Sequence, residues 1–275
     1  MRRAGTVGGL VRACHPDACA AVTAVATLLA VAVGRDAAGT VLVGVAVLTG
    51  QFCVGWTNDY LDANRDVAAK RTDKPVASGA VGRTTVGGSA LVAGIACVPL
   101  SLAVGPLAGG LHLIAVALGL AYDVGLKATV ASVVPYLLSF ALLPVFAVLG
   151  PSPHPPWWLP VAGALLGGGA HFANVLPDLT EDAATGVRGL PHRIGAAGSR
   201  WAAVVLLLAA SVVLVLGPTG HLAARVALAG ASLVVLAAGL VAGRRPGSRV
   251  VFQAVLVVAL LDVAQLVLAG SSLAA

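Results

Sequence analysis

The sequence predicts an all-α, polytopic membrane protein with nine transmembrane helices. Three observations carry this. Of 275 residues, 59% are hydrophobic and only 10% are charged, where a soluble domain carries about 25% charge. The apolar residues form long runs separated by short charged or Gly-Pro segments, and a bilayer-crossing helix needs about 20 such residues. The few charges are grouped rather than scattered. A soluble globular enzyme, a disordered chain and a collagen-like fibre are thereby excluded, and residues 1–275 read as one domain.

In order, the apolar runs are 17–34, 40–57, 86–104, 107–123, 130–149, 157–176, 201–217, 221–242 and 250–269. Gly105-Pro106 separates the third from the fourth, and Gly217-Pro218-Thr219-Gly220 separates the seventh from the eighth, both as tight turns. Pro99, Pro135 and Pro144 fall inside runs, where neighbouring helices satisfy the freed carbonyls. Arg2, Arg3 and Arg12 followed by Ala30-Val31-Ala32 imitate a cleaved signal peptide. So alanine-rich a chain produces such triplets by chance, and eight more runs follow, so the segment reads as the first span. Cys14, Cys19, Cys53 and Cys97 form no CxxC pair and read as small apolar side chains.

The bases orient this arrangement. Three lie at the N-terminus, five after the second run, one after the fourth, three after the sixth and three after the eighth. Only Arg35 and Arg225 fall on the other side. The positive-inside rule places the N-terminus in the cytoplasm. Basic cytoplasmic loops account for the net charge of +6, and no nucleic-acid partner is expected. The excess of Arg over Lys and the Ala/Val/Gly/Leu bias fit a GC-rich, bacterial genome, and the expected location is the cell membrane.

Seven of the 11 acids lie in two cytoplasmic loops: Asp59, Asp62, Asp66 and Asp73 after the second run, and Asp178, Glu181 and Asp182 after the sixth. If the second span continues as a helix, Asp59, Asp62 and Asp66 share one face, with Asn58 beside them. Asp178 and Asp182 also share a face. Such clusters repel unless solvated, neutralised or bridged by cations. Lys70, Arg71 and Lys74 follow the first cluster, and Arg188 and Arg193 the second. Carboxylates in two groups with bases nearby suit Mg2+ bridging a diphosphate, since Mg2+ takes few carboxylates plus phosphate oxygens, and Arg and Lys take the remaining phosphate charge.

These residues carry a resemblance. Asn58-Asp59-Tyr60-Leu61-Asp62-Ala63-Asn64-Arg65-Asp66 resembles the NDxxDxxxD motif of UbiA-type intramembrane prenyltransferases. Lys70-Arg71-Thr72 and Lys74-Pro75-Val76-Ala77-Ser78-Gly79 resemble that family's basic segment and R-P-x-x-S-G run, with Lys74 where Arg is usual and a loop one residue short. Tyr122 and Lys127 resemble its Y-x-x-x-x-K stretch. Asp178-Leu179-Thr180-Glu181-Asp182-Ala183-Ala184-Thr185-Gly186-Val187-Arg188 resembles its second Asp-rich motif, followed by Gly195.

The resemblance implies a prenyltransferase, a transferase of alkyl groups other than methyl. A prenyl group passes from an allylic diphosphate to a small lipophilic, aromatic or quinone-precursor acceptor, with Mg2+ as cofactor and membrane lipid as surroundings. Asn58, Asp59, Asp62, Asp66, Asp178 and Asp182 are then the metal candidates. Arg71, Lys74, Lys127 and Arg188 are the diphosphate candidates. Asp59, Asp178 and Tyr122 are the catalytic candidates. An allylic cation must be kept from water, so the helices are expected to surround a central apolar chamber capped by the cytoplasmic loops. With aromatic content of 4%, its wall is expected to be mainly aliphatic.

Two polar stripes run inward from the motifs. Gln51, Gly55, Asn58 and Asp62 share one helical face, and His171, Asn174, Asp178 and Asp182 another. Gln51 and His171 lie about 10 Å deeper than their motifs at 1.5 Å per residue, and with Asn174 they are the candidate acceptor contacts. Interhelical hydrogen bonding is the alternative reading of both stripes. Asp262 and Gln265 share a face midway along the last run, an ionisable group at a depth that marks function. A terpene cyclase on the same scaffold is the alternative enzyme. A transporter fits less well, since transporters hold charge near the midplane.

Overall fold

A computed structural model of the chain describes residues 3–150, 152, 154–244 and 250–268. Among these residues the protein is all-helical. Helices α1 (Arg3–Ala13) and α2 (Pro16–Ala32) meet at Cys14-His15 with a bend of 61°. Pro16 opens α2, where its missing N–H costs nothing. Helix α3 (Ala37–Ala68) begins at Asp36, whose side chain accepts the Gly39 N–H at 2.7 Å. Its 32 residues extend about 48 Å at 1.5 Å per residue, well beyond a hydrocarbon core of about 30 Å. The surplus at its C-terminal end carries Asn58 to Asp66, the continuation expected of the second span.

Helices α4 (Arg83–Val104) and α5 (Pro106–Val124) are divided at Gly105, whose φ of 154° suits glycine. Helix α6 (Val134–Val148) is followed by α7 (Trp158–Val175). A 3-10 turn over Leu176–Asp178 then leads into the short α8 (Leu179–Ala184). Helix α9 (Leu190–Leu216) is interrupted at Gly195, with φ 72°, and α10 (Leu222–Ala242) and α11 (Val250–Leu268) complete the chain.

Each of the nine apolar runs coincides with a helix. Among the described residues, six helices are long and apolar enough to cross a membrane, and the bent α1–α2 pair makes a seventh. Helix α6, at 15 residues, falls short of the usual span of about 20. Two boundaries differ. A helix covers Arg3–Ala13 ahead of the first apolar run, and α9 starts at Leu190, well before the apolar run at 201. Both extra segments are too poor in apolar residues for hydropathy to reveal them.

Helices adjacent in the chain pack on one another, and α11 returns against α2, closing the arrangement. One core joins α2, α3, α6 and α7 through Leu29, Val43, Val47, Phe146 and Leu159, and a second joins α7, α9, α10 and α11 through Phe172, Leu207, Leu236 and Val255. The α6–α7 contact depends on glycine. A Cβ on Gly163 would overlap the Phe140 carbonyl, and one on Gly167 would strike the Tyr136 carbonyl. Small residues of this kind let membrane helices approach closely, and here they bring Tyr136 and Phe140 alongside α7.

The two arginines assigned to the far side close helix ends. Arg35 donates to the carbonyls of Ala147 and Leu149 at the end of α6. Arg225 donates to Val215 and Pro218 at 2.9 and 2.6 Å, at the end of α9. Guanidinium groups satisfy the orphan carbonyls found there.

Candidate active site

The C-terminal overhang of α3 presents Asp59, Asp62 and Asp66 on one face, all buried. A buried carboxylate is stable only when paired and hydrogen-bonded, and two of the three are. Asp59 Oδ1 accepts Lys74 Nζ at 2.9 Å and lies 3.4 Å from His15 Nε2, while its Oδ2 is buried with no hydrogen-bond partner. Both oxygens of Asp62 accept Lys127 Nζ at 2.7 Å, and Oδ2 also accepts Arg65 at 2.8 Å.

The two acidic loops come together, as the sequence leads one to expect. Arg65 on α3 reaches to 3.8 Å from Asp182. Arg71 lies 2.8 Å from Glu181 and 3.7 Å from Asp178. His192, at the start of α9, lies 3.7 Å from Asp182. Arg71 also donates twice to Asp73, at 3.0 and 2.9 Å. These bonds, and the nearby Asp178 and Glu181, raise the Arg71 guanidinium above its ordinary range, and Arg71 in turn holds the Asp73 carboxyl below its own. The gap between the two acid rows is thus spanned by Arg65 and Arg71.

Of the four diphosphate candidates, Lys74 and Lys127 sit on the first acid row and Arg71 bridges to the second. Arg188 is exposed and outside the ion pairs found among the described residues. Four participants carried no local signal: His15, Arg65, His192 and Asp123. Asp123 lies at the end of an apolar run, and its partner Asn58, 2.8 Å away, is on another helix.

Deeper in, Tyr122, Tyr136 and Phe172 gather around His171, and Phe140 lies against Tyr136. Tyr122 meets Tyr136 and His171 edge-on at 5.2 and 5.7 Å, Tyr136 lies 4.9 Å from His171, and Phe140 stacks on Tyr136 at 6.1 Å. Four of the 12 aromatic residues are concentrated at this level. His171 is fully buried; its Nε2 meets Ser132 Oγ at 3.2 Å, Ser132 accepts the Leu190 N–H at 3.0 Å, and His171 Nδ1 has no hydrogen-bond partner.

Asn174 interacts with the Tyr136 hydroxyl. Gln51 is half-buried on α3 and does not join this cluster among the described contacts. Asp262 and Gln265 are fully buried on α11 and pair with each other at 3.0 Å.

Among the described residues, no three His, Cys, Asp or Glu side chains converge into a metal cage of their own. Mg2+ binds through one or two carboxylates and completes its shell with phosphate oxygens and water. The buried, unpartnered Asp59 Oδ2 beside a row of carboxylates is an oxygen donor of the required hardness.

A family model described as the UbiA prenyltransferase family matches residues 19–267. No curated protein matches the chain. Among solved structures, a UbiA homologue from Archaeoglobus fulgidus bound to DMAPP and Mg2+ is similar at a TM-score of 0.74 and 13% identity, over 95% of this chain and 99% of that one. An apo UbiA homologue from Aeropyrum pernix K1 gives 0.70 and 17%, over 89% and 96%. A structure concerned with digeranylgeranylglyceryl phosphate synthase gives 0.68 and 16%, over 96% and 98%. At these identities the likeness is one of fold.

Proposed function

The chain belongs to the UbiA prenyltransferase family, and from that premise we propose that it transfers a prenyl group from an allylic diphosphate to a lipophilic or aromatic acceptor, with Mg2+ as cofactor. The observation that carries this is the meeting of the two acid rows through Arg65 and Arg71. The bound DMAPP and Mg2+ of the Archaeoglobus homologue support the same ligand class.

Asn58, Asp59, Asp62, Asp66, Asp178 and Asp182 are the residues that would hold Mg2+, which neutralises the charge that grows on the diphosphate as the C–O bond breaks. Arg71, Lys74, Lys127 and Arg188 contribute fixed positive charge to the same leaving group, and charge-assisted contacts of this kind are the stronger ones. Lys74 and Lys127 each turn from a carboxylate toward phosphate oxygens when the diphosphate enters. Lys74 contributes as a point charge, without the two-pronged grip of Arg. Asp59 and Asp178 anchor the two sides of the diphosphate site, and Tyr122, a member of the ring cluster below it, faces the allylic cation.

The prenyl chain extends inward to Tyr122, Tyr136, Phe140 and Phe172. Their π faces favour an allylic cation, and the surrounding helices form the apolar chamber that keeps water from it. His171, Asn174 and Gln51 contact the acceptor at that depth. The reading places the protein in a bacterial cell membrane with its N-terminus and both acid rows on the cytoplasmic side.

The test is an assay of purified protein with prenyl diphosphates of several lengths and a panel of phenolic and naphthoic acceptors, with Mg2+ and with EDTA. Diphosphate release that requires both Mg2+ and an acceptor is the expected result. A cyclic hydrocarbon formed without acceptor assigns the protein as a cyclase instead. Diphosphate release that persists in Asp62→Ala and Asp178→Ala variants overturns the proposed site.

A further inference from the structure

The end of α5 meets α3 at two successive rungs. Lys127, just past the helix, bonds both oxygens of Asp62 at 2.7 Å. One turn earlier, Asp123 Oδ1 accepts Asn58 Nδ2 at 2.8 Å. Asn58 and Asp62 are one turn apart on α3, so the two rungs hold corresponding points of two helices. The same Nδ2 also donates to Asp62 Oδ2 at 3.3 Å. Asp123 is 5% exposed, and its Oδ2 is buried without a hydrogen-bond partner.

The chemistry fixes which way the amide faces. Nδ2 carries two protons and Oδ1 none. In the reversed orientation, an oxygen would face two carboxylate oxygens at these distances with no proton between them. With both protons taken by Asp123 and Asp62, the Oδ1 lone pairs of Asn58 point away from both acids. An amide binds Mg2+ only through that oxygen.

We propose that Asp123 is a positioning residue of the metal site, holding the Asn58 amide so that its carbonyl oxygen is presented to Mg2+. The inference rests on the proposed Mg2+–diphosphate reading and deepens it. Asp62 alone does not set the amide, because Lys127 and Arg65 also bond to it and its contact to Asn58 is the longer one. Asp123 acts as a hydrogen-bond acceptor, and its negative charge is incidental to that role. Partners behind a metal ligand commonly change affinity by about 10–100-fold when removed.

The experiment measures Mn2+ binding by electron paramagnetic resonance in the full-length, detergent-solubilised protein, with geranyl thiolodiphosphate as the unreactive diphosphate. Asp123→Leu is expected to weaken Mn2+ binding by about 10–100-fold. Asp123→Ala carries the same expectation and replaces it where Asp123→Leu does not fold. Asp123→Asn, whose amide oxygen still accepts from Asn58, is expected to recover most of the affinity. The double variant Asn58→Ala/Asp123→Leu is expected to bind no more weakly than Asn58→Ala.

Unchanged Mn2+ affinity in Asp123→Leu overturns the proposal. So does an Asp123→Asn protein as weak as Asp123→Leu, which would assign the effect to charge, and so does additivity in the double variant. Wild-type protein that binds no Mn2+ with the thiolodiphosphate overturns the metal reading as a whole, an outcome distinct from loss of the Asp123 role alone.

Discussion

The Arg71 guanidinium lies 2.8 Å from the Glu181 carboxylate, although the two residues come from opposite halves of the chain. Arg71 also touches Asp73 at 2.9 Å and Asp178 at 3.7 Å. Its acidic partners Glu181 and Asp73 both have side chains 56% exposed, and exposed pairs contribute about 1 kcal/mol or less. So large an investment of contacts in one base therefore stabilises the fold little. It positions a cation between two acid rows.

Arg71→Ala is accordingly expected to change thermal stability slightly and to raise the KM for the prenyl diphosphate by about tenfold or more, the worth of one charge-assisted hydrogen bond. Steady-state kinetics over a range of diphosphate concentrations checks this. An unchanged KM removes Arg71 from the diphosphate site.

The Asp62–Lys127 pair behaves differently because both side chains are nearly nine-tenths buried. Removing Lys127 leaves the buried Asp62 with Arg65 as its one remaining cationic partner, at a cost of up to about 3–5 kcal/mol. Lys127→Ala is therefore expected to lower the melting temperature markedly, and Asp62→Asn/Lys127→Ala to regain much of it while remaining inactive. Excess Mg2+ is expected to stabilise Lys127→Ala more than the wild type, since a divalent cation then takes the vacant place beside Asp62. Melting curves with and without Mg2+ decide the point, and equal Mg2+ effects on the two proteins count against Asp62 as a metal ligand.

The sequence made the helices and the two acid rows legible because both depend on local signals: runs of apolar residues, and carboxylates spaced at one helical turn. The α3 overhang followed from the spacing of Asp59, Asp62 and Asp66 on one face. What stayed hidden is what depends on packing between distant segments. Asp123 gives no sign in the sequence of its bond to Asn58. His15 meets Asp59 only because α1 and α2 bend by 61° at that corner. The ring cluster around His171 leaves no trace in composition, which counts aromatic residues without saying where the chain gathers them.

Gly163 offers a test of how that ring cluster is built. A Cβ there would overlap the Phe140 carbonyl and press on Pro144. Backbone cannot yield as a side-chain tip can, so Gly163→Val must push α6 away from α7. Overpacking costs about 1–3 kcal/mol in a well-packed core, and this contact is tighter than most. The variant is expected to melt earlier and to lose turnover, with Tyr136 displaced from His171. Turnover equal to wild type in a folded Gly163→Val protein separates the ring cluster from the chemistry.

His171 is the sharpest test of the inner site. It is fully buried, ringed by aromatic side chains, tied through Ser132 to the Leu190 amide, and left with Nδ1 unpartnered. If it contacts the acceptor, its loss acts on the reacting end of the prenyl chain and leaves the diphosphate grip alone. His171→Ala is then expected to lower kcat on the order of 10²-fold, the effect of a misplaced reactant, while the KM for the prenyl diphosphate holds. A merely structural role has a different signature. His171→Phe keeps a ring of similar size in the aromatic cluster and loses only the nitrogens, so packing alone predicts that it restores turnover. Full turnover with unchanged product in either variant assigns His171 to helix packing. Loss in both, with diphosphate KM and melting temperature of His171→Phe near wild type, assigns its nitrogens to the acceptor.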